Sequence, residues 1–293
     1  MTWTNWEKVA GDGLDFTDII YEKKYHTVYE GGQARVLVNR ADKYNAFTGH
    51  TMDEMFRAFY DASHDPMIGV VVISGVGDHF GTGGDVEWEQ WGLREQFYWR
   101  SAPNRVIRTC RKPVVAAVKG FCIGGSHHLA YCCDFTIAAD TAIFGQNGPR
   151  ISSPADGFIM PYLVRVVGAK KAREIWMLCR RYTASEALAM GLCNTVVPLD
   201  RLEGEVDQWA EEMLTLSPSC LEVLKASYDW ELDTMPQLGN IANWLHPDYF
   251  DTPEGKEGAT AFMEKREPQF WKIRKAEAEA RKKAMEMMEK GEV

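Results

Sequence analysis

Apolar residues change their spacing several times along the chain, and each change marks an element. From Ile19 to Asn39 two runs, YEKKYHTVYE and ARVLVNR, flank Gly31-Gly32 and read as a hairpin. A polar turn follows at Asp42 to Phe47. Met52, Met55, Phe56 and Phe59 then recur at helical spacing, which predicts an amphipathic helix over Thr51 to Asp61. Gly69 to Ser74 (GVVVIS) and Pro113 to Val118 (PVVAAV) are continuous apolar runs, the pattern of strands buried on both faces. Residues 88–110, with Trp88, Trp91, Phe97, Tyr98 and Trp99, are predicted helical between them. A helical segment runs from Ser126 to about Cys133, and a strand leads on to Phe144-Gly145. Strand and helix therefore alternate up to residue 146. That order predicts an α/β architecture with mainly parallel strands and right-handed crossovers.

Beyond Pro161 the pattern turns helical: AKKAREIWMLCRR, SEALAMG, EVDQWAEEMLTL and PSCLEVLKASYDWEL. Strand signal there is limited to Asn194 to Pro198. The expected division is a polar lead-in (1–18), an α/β core (19–200), a helical region (201–272) and a charged helical tail (273–293). No internal repeat is found.

Composition narrows the partners. The 293 residues carry a net charge of −9, and no basic stripe interleaves with aromatics, so nucleic-acid binding is not expected. No apolar run reaches the length of a membrane span. The start, MTWTNWEKVAGDGLDF, has no basic stretch followed by an apolar one, so no secretory leader is expected. The cysteines number seven; most lie in apolar stretches, and Cys132-Cys133 are adjacent rather than spaced as a metal or redox pair. Reduced, buried thiols in a cytoplasmic protein are the expectation, with no metal site.

Two glycine turns each follow a buried strand: Thr82-Gly83-Gly84-Asp85 and Gly124-Gly125-Ser126. In a parallel sheet, loops at the carboxyl ends of strands share one edge, where ligands bind. Two backbone N–H groups facing each other there would form an oxyanion hole. Taken singly, each also reads as an ordinary tight turn. Neither fits a dinucleotide or P-loop fingerprint. His127 and His128 sit just past the second turn. A histidine with its usual pKa near 6.5 suits base work at neutral pH, and a histidine packed at a helix start is the plainer reading.

The segments FGTGGD, KPVVAAVKGFCIGGSHHLAYCCDFTIAADTAIFGQNGP, VGAKKAREIWMLCRRYTASEALAMGLCNTVVP and EGKEGATAFMEKREPQF resemble the crotonase (enoyl-CoA hydratase/isomerase) superfamily over about residues 18 to 272. FGQNGP and KKAREIWMLCRRY resemble two of its branches most: 1,4-dihydroxy-2-naphthoyl-CoA synthases, which close a ring, and 2-ketocyclohexanecarboxyl-CoA hydrolases, which open one. The resemblance implies the ClpP/crotonase-like fold of repeated ββα units with a helical C-terminal trimerisation region. It implies trimers or hexamers built as dimers of trimers, and an acyl-CoA thioester as substrate. Coenzyme A arrives as part of that substrate, and no permanently bound cofactor is implied. The thioester oxygen would be held by the N–H groups of Gly84 and Gly125. Thr82, Gly83 and Asp85 would flank it, Lys43 and Ala46 match the CoA adenine pocket, and Lys272 matches a lysine that reaches CoA.

The departures from the family pattern select the chemistry. Enoyl-CoA hydratases carry two glutamates; their positions are His128 and Gly148 here. Gln146, Gly148 and Ser153 match the place where some naphthoyl-CoA synthases hold bicarbonate, so a bicarbonate or chloride site is expected there. The aspartate two residues after that serine is Ala155 here, with Asp156 beside it, and the C-terminal active-site tyrosine is Phe250, next to Tyr249. His128 then stands as the candidate base, with Asp156 as helper and His127 as structural. The expected reaction is hydrolytic C–C cleavage of a cyclic β-ketoacyl-CoA. Ring closure, hydration by His128 in place of glutamate, and a non-catalytic acyl-CoA scaffold are the alternatives.

Overall fold

The continuous apolar runs form the middle of the main sheet. The computed structural model describes residues 2–90, 103–153, 155, 157–234 and 249–290. Its strands are β1 (Glu7–Lys8), β2 (Ile19–Tyr25), β3 (Gly32–Val38), β4 (Ile68–Gly75), β5 (Val114–Val118), β6 (Phe121–Ile123), β7 (Phe135–Ala139), β8 (Ile143–Gly145), β9 (Arg181–Thr183) and β10 (Thr195–Val197). Seven of them form a sheet in the order β1-β2-β3-β4-β5-β7-β10. The hairpin β2–β3 and its neighbour β1 are antiparallel, and every later pairing in that sheet is parallel. Alternate side chains enter two separate cores, as the strand period of two requires. Val71, Ile73, Val114 and Ala116 point into the larger one; Val70, Val72, Val115 and Ala117 point to the other face.

Helix α1 (Gly49–His64) covers the larger core. Thr48 and Thr51 form a reciprocal capping box at its start. Its apolar stripe of Met55, Ala58, Phe59 and Ala62 is fully buried. Glu54, 1% exposed, accepts from the backbone N–H groups of Thr17, Asp18 and Ile19, so the lead-in is tied to this helix. The short helices α2 (Val86–Gln90) and α3 (Pro103–Thr109) follow, then α4 (Gly125–Cys132), α5 (Ile159–Val167), α6 (Ala169–Leu178) and α7 (Ala184–Ala189). Helix α8 (Leu202–Leu214) lays Leu202, Val206, Ala210 and Met213 on the opposite face. Helix α9 (Pro218–Thr234) is anchored by Lys225, whose ammonium donates to the Ile107 and Lys112 carbonyls and to Asp134 Oδ2 at 2.6 Å. Two further helices, Pro253–Met263 and Phe270–Glu289, end the described chain.

Several sequence expectations are corrected. The lead-in contributes β1 to the sheet, with Val9 N–H donating to the Tyr21 carbonyl. The run leading to Phe144 is two strands in different sheets: β7 joins the large one, and β8 pairs with β6 and β9 in a second sheet of three strands. The helix predicted to reach Arg181 ends at Leu178, because Cys179 adopts a left-handed conformation (φ 49°); Arg181–Thr183 is strand β9. Of the helix expected over 88–110, the pieces Val86–Gln90 and Pro103–Thr109 are present; Trp91, Phe97, Tyr98 and Trp99 lie outside the described residues. Six of the cysteines are buried free thiols, and Cys220 is exposed.

Candidate active site

Three segments are knit together at the carboxyl ends of β4 and β5. Gly81 pairs with Cys122, and Phe47 pairs with Gly84, as parallel bridges. The second bridge uses Phe47 N–H to the Gly83 carbonyl and Asp85 N–H to the Phe47 carbonyl, both 2.9 Å. In that pattern the N–H of the intervening Gly84 points away from Phe47. Gly83 N–H donates to Ser126 Oγ at 3.0 Å, which joins the first glycine turn to the second. The two turns touch: a Cβ on Gly83 would lie 2.6 Å from Gly125 N, and one on Gly125 would lie 2.6 Å from Phe47 Cζ. Gly83 and Gly124 both need positive φ (97° and 58°), which glycine adopts at no steric cost. Gly125 opens α4, where first-turn N–H groups have no partner within the helix and the dipole favours negative charge. The structure therefore brings the turns that carry Gly84 and Gly125 into contact at one edge of the sheet.

His128 is one helical turn beyond that edge. Its ring lies 5.1 Å from the Trp176 ring and 5.8 Å from the Tyr131 ring. Burial pulls its pKa down to about 4, partly opposed by the Gln146 side chain. It is neutral at pH 7, and its Nε2 is buried without a hydrogen-bond partner. His127 is fully buried; its Nδ1 lies 2.9 Å from Gln146 Nε2, and burial, with His128 and Arg181 nearby, lowers its pKa to about 3. Gln146 Oε1 and Trp176 Nε1 are also buried without partners.

The other sequence-predicted residues fall into three groups. Gly148 and Ser153 pack against each other, and Gly148 against Trp176: Ser153 N–H donates to the Gly148 carbonyl, and a Cβ on Gly148 would lie 2.5 Å from the Ser153 carbonyl oxygen and 3.5 Å from Trp176 Cζ3. Asp85, Thr82, Lys43 and Ala46 surround the first turn. Asp85 pairs with Arg40 at 3.1 Å and accepts from Trp88 N–H, so its carboxylate caps α2; Thr82 Oγ1 donates to the Tyr44 carbonyl. Lys43 is exposed and Ala46 buried. Lys272 is exposed in the first turn of the last helix, and the Phe250 backbone lies in a short turn of helix at Tyr249–Asp251. Asp156 lies outside the described residues.

Sequence reasoning missed three participants. Ser126 clamps the turns; its only sequence signal was its place after Gly124-Gly125. Trp176 packs its ring against that of His128 from a distant helix, α6. Glu89 bends back from α2 so that a Cβ on Gly84 would collide with its Oε1, and its Oε2 lies 3.5 Å from Ser153 Oγ. Among the described residues no three His, Cys, Asp or Glu side chains converge as a metal site, and no helix is long and apolar enough to cross a membrane.

Known proteins share this fold. The enoyl-CoA hydratase/isomerase family matches residues 29–273. An enoyl-CoA hydratase from Mycobacterium avium subsp. paratuberculosis K-10 is 28% identical with a TM-score of 0.73, over 87% of this chain and 99% of that one. An enoyl-CoA hydratase/carnithine racemase from Magnetospirillum magneticum is 30% identical with a TM-score of 0.67, over 87% and 96%. A methylmalonyl-CoA decarboxylase in complex with 2-nitronate-propionyl-CoA is 23% identical with a TM-score of 0.76, over 87% and 99%, a likeness of fold. The chain belongs to the enoyl-CoA hydratase/isomerase family of the crotonase superfamily, and has its fold.

Proposed function

We propose that the protein hydrolyses a carbon–carbon bond of a cyclic β-ketoacyl-CoA through a thioester enolate held by the N–H groups of Gly84 and Gly125. The observation that carries the reading is the contact between the two glycine turns, together with a site that has no carboxylate at residue 128 or 148. Gly148 faces the Ser153 carbonyl so closely that a side chain there would need the backbone to move. That argues against hydration by a glutamate pair.

His128 would take a proton from water as the water attacks the ring ketone. Asp156, or a bicarbonate or chloride near Gln146 and Gly148, would polarise the same water. The bond between the ketone carbon and the carbon next to the thioester then breaks, and its electron pair passes into the enolate. Burial disfavours the charged imidazole. The negative charge developing on the thioester oxygen compensates, so the ion pair forms only as the bond breaks. Each N–H donor of such a hole is worth about 2.7–4 kcal/mol of barrier. The CoA adenine would lie by Lys43 and Ala46, near the stacked rings of Tyr44, His79 and Phe121, with Lys272 reaching CoA. A trimer or a hexamer is the proposed assembly.

The test is incubation with 2-ketocyclohexanecarboxyl-CoA, succinylbenzoyl-CoA and crotonyl-CoA, with products followed by mass. Gain of one water with loss of the ring in the first compound is expected. Turnover of succinylbenzoyl-CoA or crotonyl-CoA alone would replace this reading with ring closure or hydration.

A further inference from the structure

We propose that Glu89 is a catalytic residue, the group that carries the proton to and from the carbon next to the thioester; this rests on the thioester-enolate reading above. Helix α2 aims it. Asp85, held by Arg40, accepts from Trp88 N–H, and Glu89 N–H donates to the Asp85 carbonyl. These bonds place Glu89 one turn after the oxyanion glycine and fold its carboxylate back over it. One carboxylate oxygen rests against Gly84, and the other faces Ser153 Oγ on the loop that follows β8. The carboxylate thus spans the two walls between which the acyl group would lie. Its neighbour Glu87 on the same helix points to solvent, and Glu89 is half-buried.

The chemistry needs such a group. A thioester oxygen bound at Gly84 would lie within a few ångströms of the Glu89 carboxylate. If both were negative they would repel. The conflict disappears if Glu89 takes the proton as the enolate forms. The C–H electron pair becomes the enolate double bond, the carbonyl π pair moves to oxygen, and the proton moves to Glu89. One negative charge passes from carboxylate to oxyanion, and the total charge is unchanged. In ring opening the pair comes from the breaking C–C bond. The proton that His128 takes from the attacking water passes to the Glu89 carboxylate and from Glu89 to the carbon, so both groups end the turnover as they began. His128 and Glu89 would therefore serve the two ends of the reaction, water and carbon.

The test separates the carbon acid step from ring opening. Cyclohexanecarboxyl-CoA has no ketone and cannot be opened, so it reports proton exchange alone. Wild type, Glu89→Gln and Glu89→Asp are incubated with it in D2O, and uptake of one deuterium is followed by mass. Binding of the same thioester is measured in parallel. Wild type should exchange, and Glu89→Gln should lose about a hundredfold or more in exchange rate with binding within about threefold. Glu89→Asp should retain part of the rate. Exchange by Glu89→Gln within about threefold of wild type, or none by wild type, overturns the proposal. If wild type exchanges and Glu89→Gln does not, yet 2-ketocyclohexanecarboxyl-CoA is left intact, Glu89 stands and the ring-opening reading falls. If the ring opens normally in Glu89→Gln with exchange unchanged, the ring-opening reading stands and Glu89 falls.

Discussion

Gly83 N–H donates to Ser126 Oγ at 3.0 Å, and this bond, with the parallel bridge between Gly81 and Cys122, ties the two glycine turns together. Ser126 is 2% exposed, so the bond is shielded from water. Ser126→Ala leaves a buried donor unmet, which costs about 1–3 kcal/mol. Denaturant unfolding should show that loss. Turnover of any acyl-CoA substrate should fall at least tenfold with a smaller change in KM, because the proposed hole would be complementary to the enolate more than to the ground state.

Restoring the hydratase glutamate should fail. A Cβ at residue 148 would lie 2.5 Å from the Ser153 carbonyl oxygen. Gly148→Glu is expected to lower the unfolding midpoint by several degrees and to give no hydration of crotonyl-CoA, read by thermal melts and product mass.

The legible parts of the fold are those with a clean period. Continuous runs at Gly69 to Ser74 and Pro113 to Val118 mark strands because both faces are buried. The glycine turns are legible because their backbone conformation demands glycine. The second sheet was hidden: β6, β8 and β9 are each three residues long, too short for any period to show. Glu89 was hidden for a different reason. V-E-W-E-Q on a short helix has the pattern of a solvated face, and only the return of α2 toward Gly84 turns one of its two glutamates inward. Lys225 looks like an ordinary helix-surface cation; its burial is fixed by Asp134, which lies 91 positions away in sequence.

That buried lysine is a test of the packing. Lys225 and Asp134 are 2.6 Å apart, with side chains 5% and 17% exposed. Lys225→Ala leaves the Asp134 carboxylate short of its closest cation and two backbone carbonyls without their donor. A loss of about 3 kcal/mol or more is expected in urea unfolding. Lys225→Met, which keeps the volume, should lose less than Lys225→Ala if the stem's packing matters as well.

Stability should depend on pH through the two histidines. Folded His127 and His128 have pKa values lowered from 6.5 to about 3 and about 4. The unfolded chain therefore binds protons first as pH falls. Their contribution is fully present above about pH 6.5 and is lost between there and about pH 3, amounting to a few kcal/mol. Urea midpoints should decline between about pH 7 and pH 5, and His127→Gln should flatten that slope. The same depression predicts that the acid limb of kcat/KM falls well below 6.5 if His128 is the base.

The thioester carbonyl itself reports on the proposed oxyanion hole at Gly84 and Gly125. Difference infrared spectra of an acyl-CoA labelled with 13C at that carbonyl, free and bound, measure its polarisation directly. The stretch should move to lower frequency on binding, and much of that shift should be lost in Ser126→Ala. A bound carbonyl that vibrates at its solution frequency would contradict the central claim.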